Sequence, residues 1–437
     1  MTRQCIAVAV SGGRDSTALW HATARAVVGS GLQVVALHVH HGLQPEADGW
    51  VAHLQRQARR WAARGLPVSL AWRRLRAAPA AGDSIEAWAR RERYAALADM
   101  ARDCGAKLVL LAHHRCDQAE TFLLQALRGA GPAGLAAMPR EVTRGGIVWS
   151  RPWLDQPSRA IDAYVRRHRL SHVHDPSNVD ASLARNRLRH EVWPALSASF
   201  GQAEACLAAS TRRAHEAAEC LRELAALDAT LACSAEGRLK VPAWLALSTA
   251  RRANLLRYWL ATQHRGAVPE SLVQRLLHEL PAAPAAAAWP WHDGELRLHA
   301  GALRTVPLRA APEALPDLPQ HLDLSRAGRF AVPAWHGSFE VRAVHGDGLD
   351  PRRLRHCELR PRQGGEQFQR SQRSLPRSLK KQFQAAGVPA WLRDGPLVYA
   401  GNELLYVPGL GVDARNQAPA GSSMLGLSWL PDRPPRA

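Results

Sequence analysis

Lysine is nearly missing from this chain. It occurs only at 107, 240, 380 and 381, four of 57 basic residues, and the 38 acidic residues leave a formal net charge of +19 carried by arginine. Long apolar runs are absent too: no stretch reaches the roughly 18 residues that a membrane span requires. The opening residues, MTRQCIAVAV, run directly into strand-like sequence, so a cleavable leader is not expected. The seven cysteines (5, 104, 116, 206, 220, 233 and 357) are odd in number and never spaced CxxC. That argues against a disulfide framework or a zinc ribbon and predicts reduced thiols in the cytoplasm. There is no Walker-type GxxxxGK followed by Ser or Thr, and no repeat of fixed period. With 437 residues, the chain is long enough for two or three domains with their own cores. A strong cationic excess favours nucleic acid as a partner. An Arg- and Ala-heavy composition also follows from coding bias, so charge by itself does not decide for RNA.

The most informative stretch is Cys5–Ser16, CIAVAVSGGRDS. A β-branched apolar run reads as a buried parallel strand, breaks at Ser-Gly-Gly, and gives way to helical periodicity from Thr17 to Val28. Gly12 and Gly13 carry no Cβ, so an anion can approach their N–H groups, and the following helix points its positive end into the same concavity. Ser11 and Ser16 add hydroxyl donors, and Asp15 is placed to hold a Mg²⁺ against phosphate charge. This is a phosphate cradle.

Strand and helix patterns alternate through residues 1–200, which predicts a doubly wound parallel α/β sheet. Gln33–Val39, Val68–Trp72 and Lys107–Ala112 read as further strands. Asp83-Ser84 offers an N-cap for a long helix ending near Gly105, and Gln118–Leu127 reads as another helix. Residues 201–304 are Ala/Leu/Arg-rich and read as a helical domain, followed by a proline-punctuated passage of short strands and linker. Residues 321–437, with strand runs at Phe339–Val344, Leu397–Tyr399 and Leu404–Val407 and a helix near Leu379–Ala386, read as a small α+β domain.

Further clusters accompany the strands, at whose C-terminal ends ligands bind in an open parallel sheet. They are His38-Val39-His40-His41-Gly42-Leu43-Gln44, Arg90-Arg91-Glu92-Arg93-Tyr94, Ala112-His113-His114-Arg115-Cys116-Asp117-Gln118-Ala119-Glu120-Thr121, and Arg128-Gly129-Ala130-Gly131-Pro132 with Gly134 beyond. Asp117 and Glu120 stand one helical turn apart. They suit a cation-binding pair, or equally a helix N-terminus, where acids are favourable by ~0.3–1 kcal/mol. The histidines at 38, 40, 41, 113 and 114 do not read as a zinc site, because alternation along a strand sends neighbours to opposite faces. Gly129–Gly134 fits GxGxxG but follows a helix rather than a strand, which argues against a dinucleotide site.

Together these motifs resemble those of the tRNA(Ile)-lysidine synthetases, within the PP-loop ATP pyrophosphatases of adenine nucleotide alpha hydrolase-like fold. SGGRDS, HVHHGL, AHHRCDQAET, RGAGPAGL and the later DPSNVDASLARNRLR occur in the family's order, and Arg362–Glu366, Lys380–Phe383 and Val388–Asp394 resemble its C-terminal domain. Gln44 departs from the Arg that many members carry after HGL. The resemblance implies a ligase that adenylates the C2 oxygen of the first-anticodon cytidine of tRNA(Ile) bearing CAU, then attaches L-lysine with release of AMP and pyrophosphate. It implies that Ser11, Gly12, Gly13, Arg14, Asp15, Ser16, His38 and His113 bind ATP, with Mg²⁺ on Asp15. Asp117 and Glu120 would bind lysine, one of them acting as base, while Arg93 and His113 offset charge at the α-phosphate. Arg128, Arg185, Asn186, Arg187 and Arg189, with Lys380, Lys381 and Arg393 in the C-terminal domain, would contact the tRNA. No membrane partner is expected, and a homodimer is compatible with the sequence.

Two other readings keep part of this pattern. A tRNA thiolating enzyme also adenylates a base oxygen, but its sulfur usually needs a cysteine pair or an Fe–S cluster, and CxxC is missing. A non-catalytic basic RNA-binding protein has no need of Ser11, Gly12, Gly13, Asp15 and Ser16 in an intact loop.

Overall fold

The computed structural model describes residues 4–431 except 43–44, 76–84, 177–179, 181, 264–267, 285–286, 293, 308–319, 347, 390–392, 394 and 420–423. Gln44, the Asp83-Ser84 cap, the middle of DPSNVD and Trp391, Leu392 and Asp394 thus lie outside the described residues. The chain divides into two compact units, Met1–Leu227 and Asp228–Ala437.

The first unit is built on β1 (Cys5–Ala9), α1 (Arg14–Ala26), β2 (Gln33–His40), α2 (Ala47–Ala62), β3 (Val68–Arg74), α3 (Ile85–Asp103), β4 (Leu108–Leu110), α4 (Arg115–Ala126), the single turn α5 (Pro132–Leu135), β5 (Glu141–Arg144), β6 (Ile147–Ser150) and α6 (Ser158–His168). The six strands lie in the order β3-β2-β1-β4-β6-β5. All pairings are parallel except that of β5 with β6, so the sheet is mixed at one edge rather than wholly parallel. The hairpin turn at Gly145-Gly146 takes positive φ at both residues, which the right-handed strand twist favours. Its short strands lack the long apolar runs that marked the others.

Alternation along β1 and β2 explains the two covered faces. Val8, Val34 and Ala36 point to one side, where they pack with Trp20, Leu54, Trp61 and Ile161 from α1, α2 and α6. Ala7, Val35, Leu37 and Val39 point to the other, against Leu97, Met100 and Ala101 of α3. A strand buried on both faces reads as a continuous apolar run, which is why β1 and β2 were legible from sequence. Beyond α6 come α7 (Ala184–Arg187), one π-helical turn over Leu188–Val192, α8 (Trp193–Ser199) and the 30-residue α9 (Ala203–Ala232). Of the seven cysteines only Cys206 and Cys220, both on α9, are exposed.

In the second unit, helices Thr249–Gln263 and Glu270–Glu279 bury Leu255, Leu256, Trp259, Val273 and Leu276 against Trp289, Leu296 and Leu303. Those last three belong to an antiparallel sheet of strands 239–240, 288–291, 294–299 and 302–307. The region read as helical therefore shares one core with strands whose prolines had suggested linker. Residues 320–431 form antiparallel sheets around Phe339, Leu359, Val398 and Leu405. A smaller core of Phe368, Leu379 and Phe383 anchors the α-helix Leu379–Ala385.

Candidate active site

Strand order reverses at β1: the chain steps from β1 to β2 to β3 on one side and returns through β4 on the other. The segments leaving β1 and β4 consequently face each other at the carboxyl end of the sheet, the position where such folds bind ligands. Val10–Ser16 lies on one side of this crevice and Ala112–Glu120 on the other.

The loop after β1 is held by its own hydroxyls. Ser16 Oγ accepts from Ser11 N at 3.2 Å, lies 3.1 Å from Ser11 Oγ, and donates to Gly13 O at 3.1 Å. Buried Thr17 donates its hydroxyl to Gly12 O at 3.2 Å. Gly12 has φ +95°, and a Cβ there would lie 2.8 Å from Val173 Cγ2. Its carbonyl also accepts from Val173 N at 2.9 Å, so a segment beyond α6 clamps the loop. Gly13 is the N-cap of α1 and no side chain caps the helix, leaving its first-turn N–H groups turned to the crevice.

Arg14 donates to Asp15 Oδ1 at 2.8 Å, to Asp162 Oδ1 at 2.6 Å and to Ser158 at 3.1 Å. The sequence placed Arg14 on ATP; the structure turns it back into the protein, where three acceptors occupy its guanidinium. Burial works to raise the pKa of Asp15, but hydrogen bonds from His114 and Arg14 outweigh it and hold the carboxyl at about 2. Asp15 is ionised at neutral pH.

His114 joins the two halves of the crevice. It is the N-cap of α4, its Nδ1 accepting from Cys116 N at 3.3 Å while Asp117 Oδ2 accepts from His114 N at 2.9 Å, a reciprocal capping box. Its Nε2 lies 3.7 Å from Asp15 Oδ2 and 3.6 Å from Asp117 Oδ2. Burial pulls its pKa down, yet the two carboxylates carry it above the ordinary histidine value. The neighbouring His113, which the resemblance assigns to the α-phosphate, takes no part in this bridge. Which member of a His-His pair faces Asp15 depends on where β4 stops and α4 starts, and that is set by tertiary packing.

His113 has a different setting. Burial, opposed by Asp117 and reinforced by Arg151, Arg185 and Arg93, lowers its pKa to about 4, so it is neutral, and its buried Nδ1 has no partner among the described residues. His41 at the end of β2 is lowered to about 4 as well, by burial and then by Arg93. Arg93 and Arg151 are themselves held below the usual guanidinium range, chiefly by burial. Neither forms an ion pair among the described residues; Arg151 donates to Pro139 O at 2.9 Å and Arg93 lies 5.8 Å from the Tyr94 ring centroid. Cations stripped of water and lacking carboxylates make a place for an anion. Nothing in the sequence marked Arg151. His38 Nδ1 lies 2.8 Å from Val10 O; a carbonyl only accepts, so Nδ1 carries the proton and the buried Nε2 is left as an acceptor without a partner among the described residues.

The remaining residues divide inward and outward. Glu120 is fully buried and accepts from Arg189 at 2.8 Å on both oxygens, with Arg185 Nε 3.2 Å away. Arg185 also donates to Thr121 at 2.7 Å. Arg185 and Arg189, expected on the tRNA, thus point into the protein because Glu120 needs them. Asn186 is buried and donates to Asp180 O at 3.0 Å, a loop-holding role in place of the tRNA contact expected of it. Arg187 and Arg128 are exposed. In the second unit Lys380 and Lys381 are exposed, while Arg393 donates to Val388 O at 2.9 Å and lies 5.3 Å from the Phe383 ring centroid.

Residues 1–196 match the PP-loop domain, 239–304 the TilS substrate binding domain and 357–429 the TilS substrate C-terminal domain. A tRNA(Ile)-lysidine synthase of Ralstonia nicotianae is 40% identical over 98% of this chain and 92% of its own. The chain belongs to the tRNA(Ile)-lysidine synthase family. Other lysidine synthases agree at the same full-length scale: 37% identity with that of Burkholderia mallei, over 98% of this chain and 93% of its own, and 38% with that of Pseudomonas aeruginosa, over 97% and 93%. A solved U34-tRNA thiolase from Methanococcus maripaludis covers 48% of this chain and 72% of its own at 11% identity with a TM-score of 0.40, too slight a likeness to bear on function. The lysidine synthase likeness thus embraces both the crevice and the second unit, whose matched regions lie at its helical core and its C-terminal sheets.

Proposed function

We propose that this protein is an ATP-dependent ligase that converts the first-anticodon cytidine of tRNA(Ile) bearing CAU to lysidine. The observation that carries the reading is the crevice at the β1/β4 reversal, with a phosphate loop facing the AHHRCDQAET motif, in a chain alike to lysidine synthases from end to end. The C2 oxygen of the base is a poor leaving group. Its attack on the α-phosphorus of ATP forms a P–O bond and breaks the bond to the β-phosphate, and pyrophosphate leaves. The ε-nitrogen of lysine then adds to C2, sheds a proton, and the C2–O bond breaks to release AMP.

The residues support a division of labour. The free first-turn N–H groups of α1 receive the departing pyrophosphate. Arg93 and Arg151 offset charge at the α-phosphate, and neutral His113 donates a hydrogen bond there rather than acting as base, since an imidazole with a pKa of about 4 holds a proton poorly at neutral pH. The Nε2 acceptor of His38 suits the amino group of adenine. Asp15, ionised and one-third exposed beside the loop, fits a Mg²⁺ held by one carboxylate and substrate phosphates, an ion that shields triphosphate charge when bound. Asp117, partly exposed and with Oδ1 3.6 Å from Arg189, is assigned the lysine ammonium; Glu120, fully buried, holds Arg189 in place. Lys380, Lys381 and Arg187 are offered to tRNA phosphates. We divide these tasks among residues 1–200, 201–304 and 321–437 as three domains, and place the reaction in the cytoplasm; no described helix is long and apolar enough to cross a membrane.

Incubation with unmodified tRNA(Ile), ATP and radiolabelled lysine tests the reading. Label should enter the tRNA only with ATP, releasing AMP and pyrophosphate in equal amounts. Failure of label to enter a tRNA that the protein binds would overturn it.

A further inference from the structure

On the face of the sheet covered by α1, α2 and α6 lies a second concavity, a groove of about 540 Å³. Its charged lining is of one sign. Arg56, Arg60, Arg64 and Arg169 border it with His53 and His168, and no aspartate or glutamate contributes. The first three recur every fourth residue along α2 and the turn that ends it, so they share one side. All four arginines are exposed, and none makes an ion pair among the described residues. Arg14, Arg73, Arg74, Arg115, Arg140 and Arg189 of this unit each meet a carboxylate, whereas these four gather in one groove that holds none. Like charges at i, i+4 repel. A row of them with no counter-charge awaits one from outside.

His21 adds no positive charge to the row at neutral pH. His21 in the groove wall is lowered to about 4, by burial first and then by His168 and Arg25. It stacks on Trp61 at 4.9 Å and bonds Tyr164 at 2.9 Å, which makes the wall rigid rather than ionic. The groove floor leads to the active site. Gln57, nearly fully buried, donates to Ser171 O at 3.1 Å, and two residues further along Val173 clamps Gly12. A polyanion laid along the arginines therefore runs toward the segment that braces the phosphate loop.

We propose that this groove binds the phosphate backbone of the tRNA at a distance from the reacting base, as a second RNA contact on the catalytic unit. The proposal rests on the tRNA-modifying reading above. Evenly spaced, outward guanidiniums match the regular repeat of phosphates along a strand, and Arg recognises phosphate through paired N–H donors. Such contacts position an RNA without reading its sequence.

The test uses the full chain with Arg56→Ala, Arg60→Ala and Arg64→Ala combined, beside a triple Lys variant that keeps the charge. Affinity for unmodified tRNA is measured across a potassium chloride series, with thermal melts, ATP titration and lysine incorporation alongside. The Ala variant should bind tRNA about tenfold or more weakly at low salt. Its log–log salt slope should fall by roughly 0.7–0.9 for each phosphate that is no longer neutralised. The tRNA KM should rise while kcat at saturating tRNA and ATP affinity stay at wild-type values, and the Lys variant should recover most of the affinity. A folded Ala variant with wild-type affinity and slope would overturn the proposal. So would a second ATP equivalent bound by the wild type and missing from the variant, which would make the groove a nucleotide site. If the triple Ala variant does not fold, Arg60→Gln with Arg64→Gln takes its place under the same readouts. Wild-type protein that binds tRNA yet incorporates no lysine would sink the ligase reading instead and leave the groove standing.

Discussion

Single positions carry the sharpest consequences. Gly12→Ala adds a Cβ 2.8 Å from Val173 Cγ2 at a φ of +95°. A strained backbone of this kind costs on the order of 1–3 kcal/mol. We expect a lower melting temperature and at least tenfold weaker ATP binding by calorimetry. Gly29→Ala, at φ +83° with open space around it, should leave ATP binding unchanged. Asp117→Asn should raise the lysine KM more than the ATP KM in steady-state kinetics. The sequence displayed Ser11, Gly12, Asp15 and Asp117 because loop chemistry restricts residue type locally. It could not display Arg151 or Val173, whose roles come from chain segments more than a hundred residues away from the loop they serve.

At the level of elements, α4 depends on a box of two side chains. His114→Ala removes the cap, which costs about 0.5–2 kcal/mol, and frees Asp117 from its fixed rotamer. Breaking a wholly buried pair costs roughly 3–5 kcal/mol, and less where the partners reach solvent as Arg185 and Arg189 do in part. Glu120→Ala, which strands Arg189 and Arg185, should therefore unfold at distinctly lower urea than His114→Ala, with a modest effect on lysine dependence in the protein that stays folded. Equal lysine KM effects for Asp117→Asn and Glu120→Gln would assign the ammonium to both carboxylates. Strands β1 to β4 and helices α1, α3 and α4 were legible from apolar runs and periodicity. The 288–307 strands were less so, since Pro290 and Pro307 weaken the pattern. The hairpin joining β5 to β6 had its Gly-Gly turn as a signal, but strands of four residues give alternation little room.

For the whole molecule, buried histidines set the response to acid. His21, His41 and His113 have folded pKa values of about 4 against an ordinary 6.5, each lowered first by burial. The unfolded chain binds their protons first, so stability is fully present above about pH 6.5 and is lost as pH falls toward 4. His114, raised, acts in the opposite sense, losing its contribution as pH rises through its folded pKa. His38 is lowered by burial as well, so the lowered histidines outweigh the raised His114, the urea midpoint should fall between pH 7 and 4.5, and His21→Gln should flatten that fall. Removing residues 321–437 separates the core around Trp244 and Leu303 from that around Phe339 and Leu405. ATP binding should persist in the shortened chain, while tRNA affinity drops and its salt slope flattens. Unchanged tRNA binding would make the C-terminal sheets a stability element. The succession of an α/β sheet, a helical region and C-terminal strands was legible because composition shifts along the chain; how the middle helices and strands share one core was not, since that is decided by contacts between distant tryptophans and leucines.

The single long helix also serves as a built-in ruler. Cys206 and Cys220 are the exposed thiols of α9, fourteen residues and so nearly four whole turns apart, about 21 Å along one side. Cys5, Cys116 and Cys357 are shielded, with thiols raised by burial to about 11, 12 and 12. A maleimide dye should therefore decorate the native protein at two known points of fixed spacing. Those points are too distant to be joined to each other by mild oxidation, so a fluorescent reporter can be installed without engineering a new site.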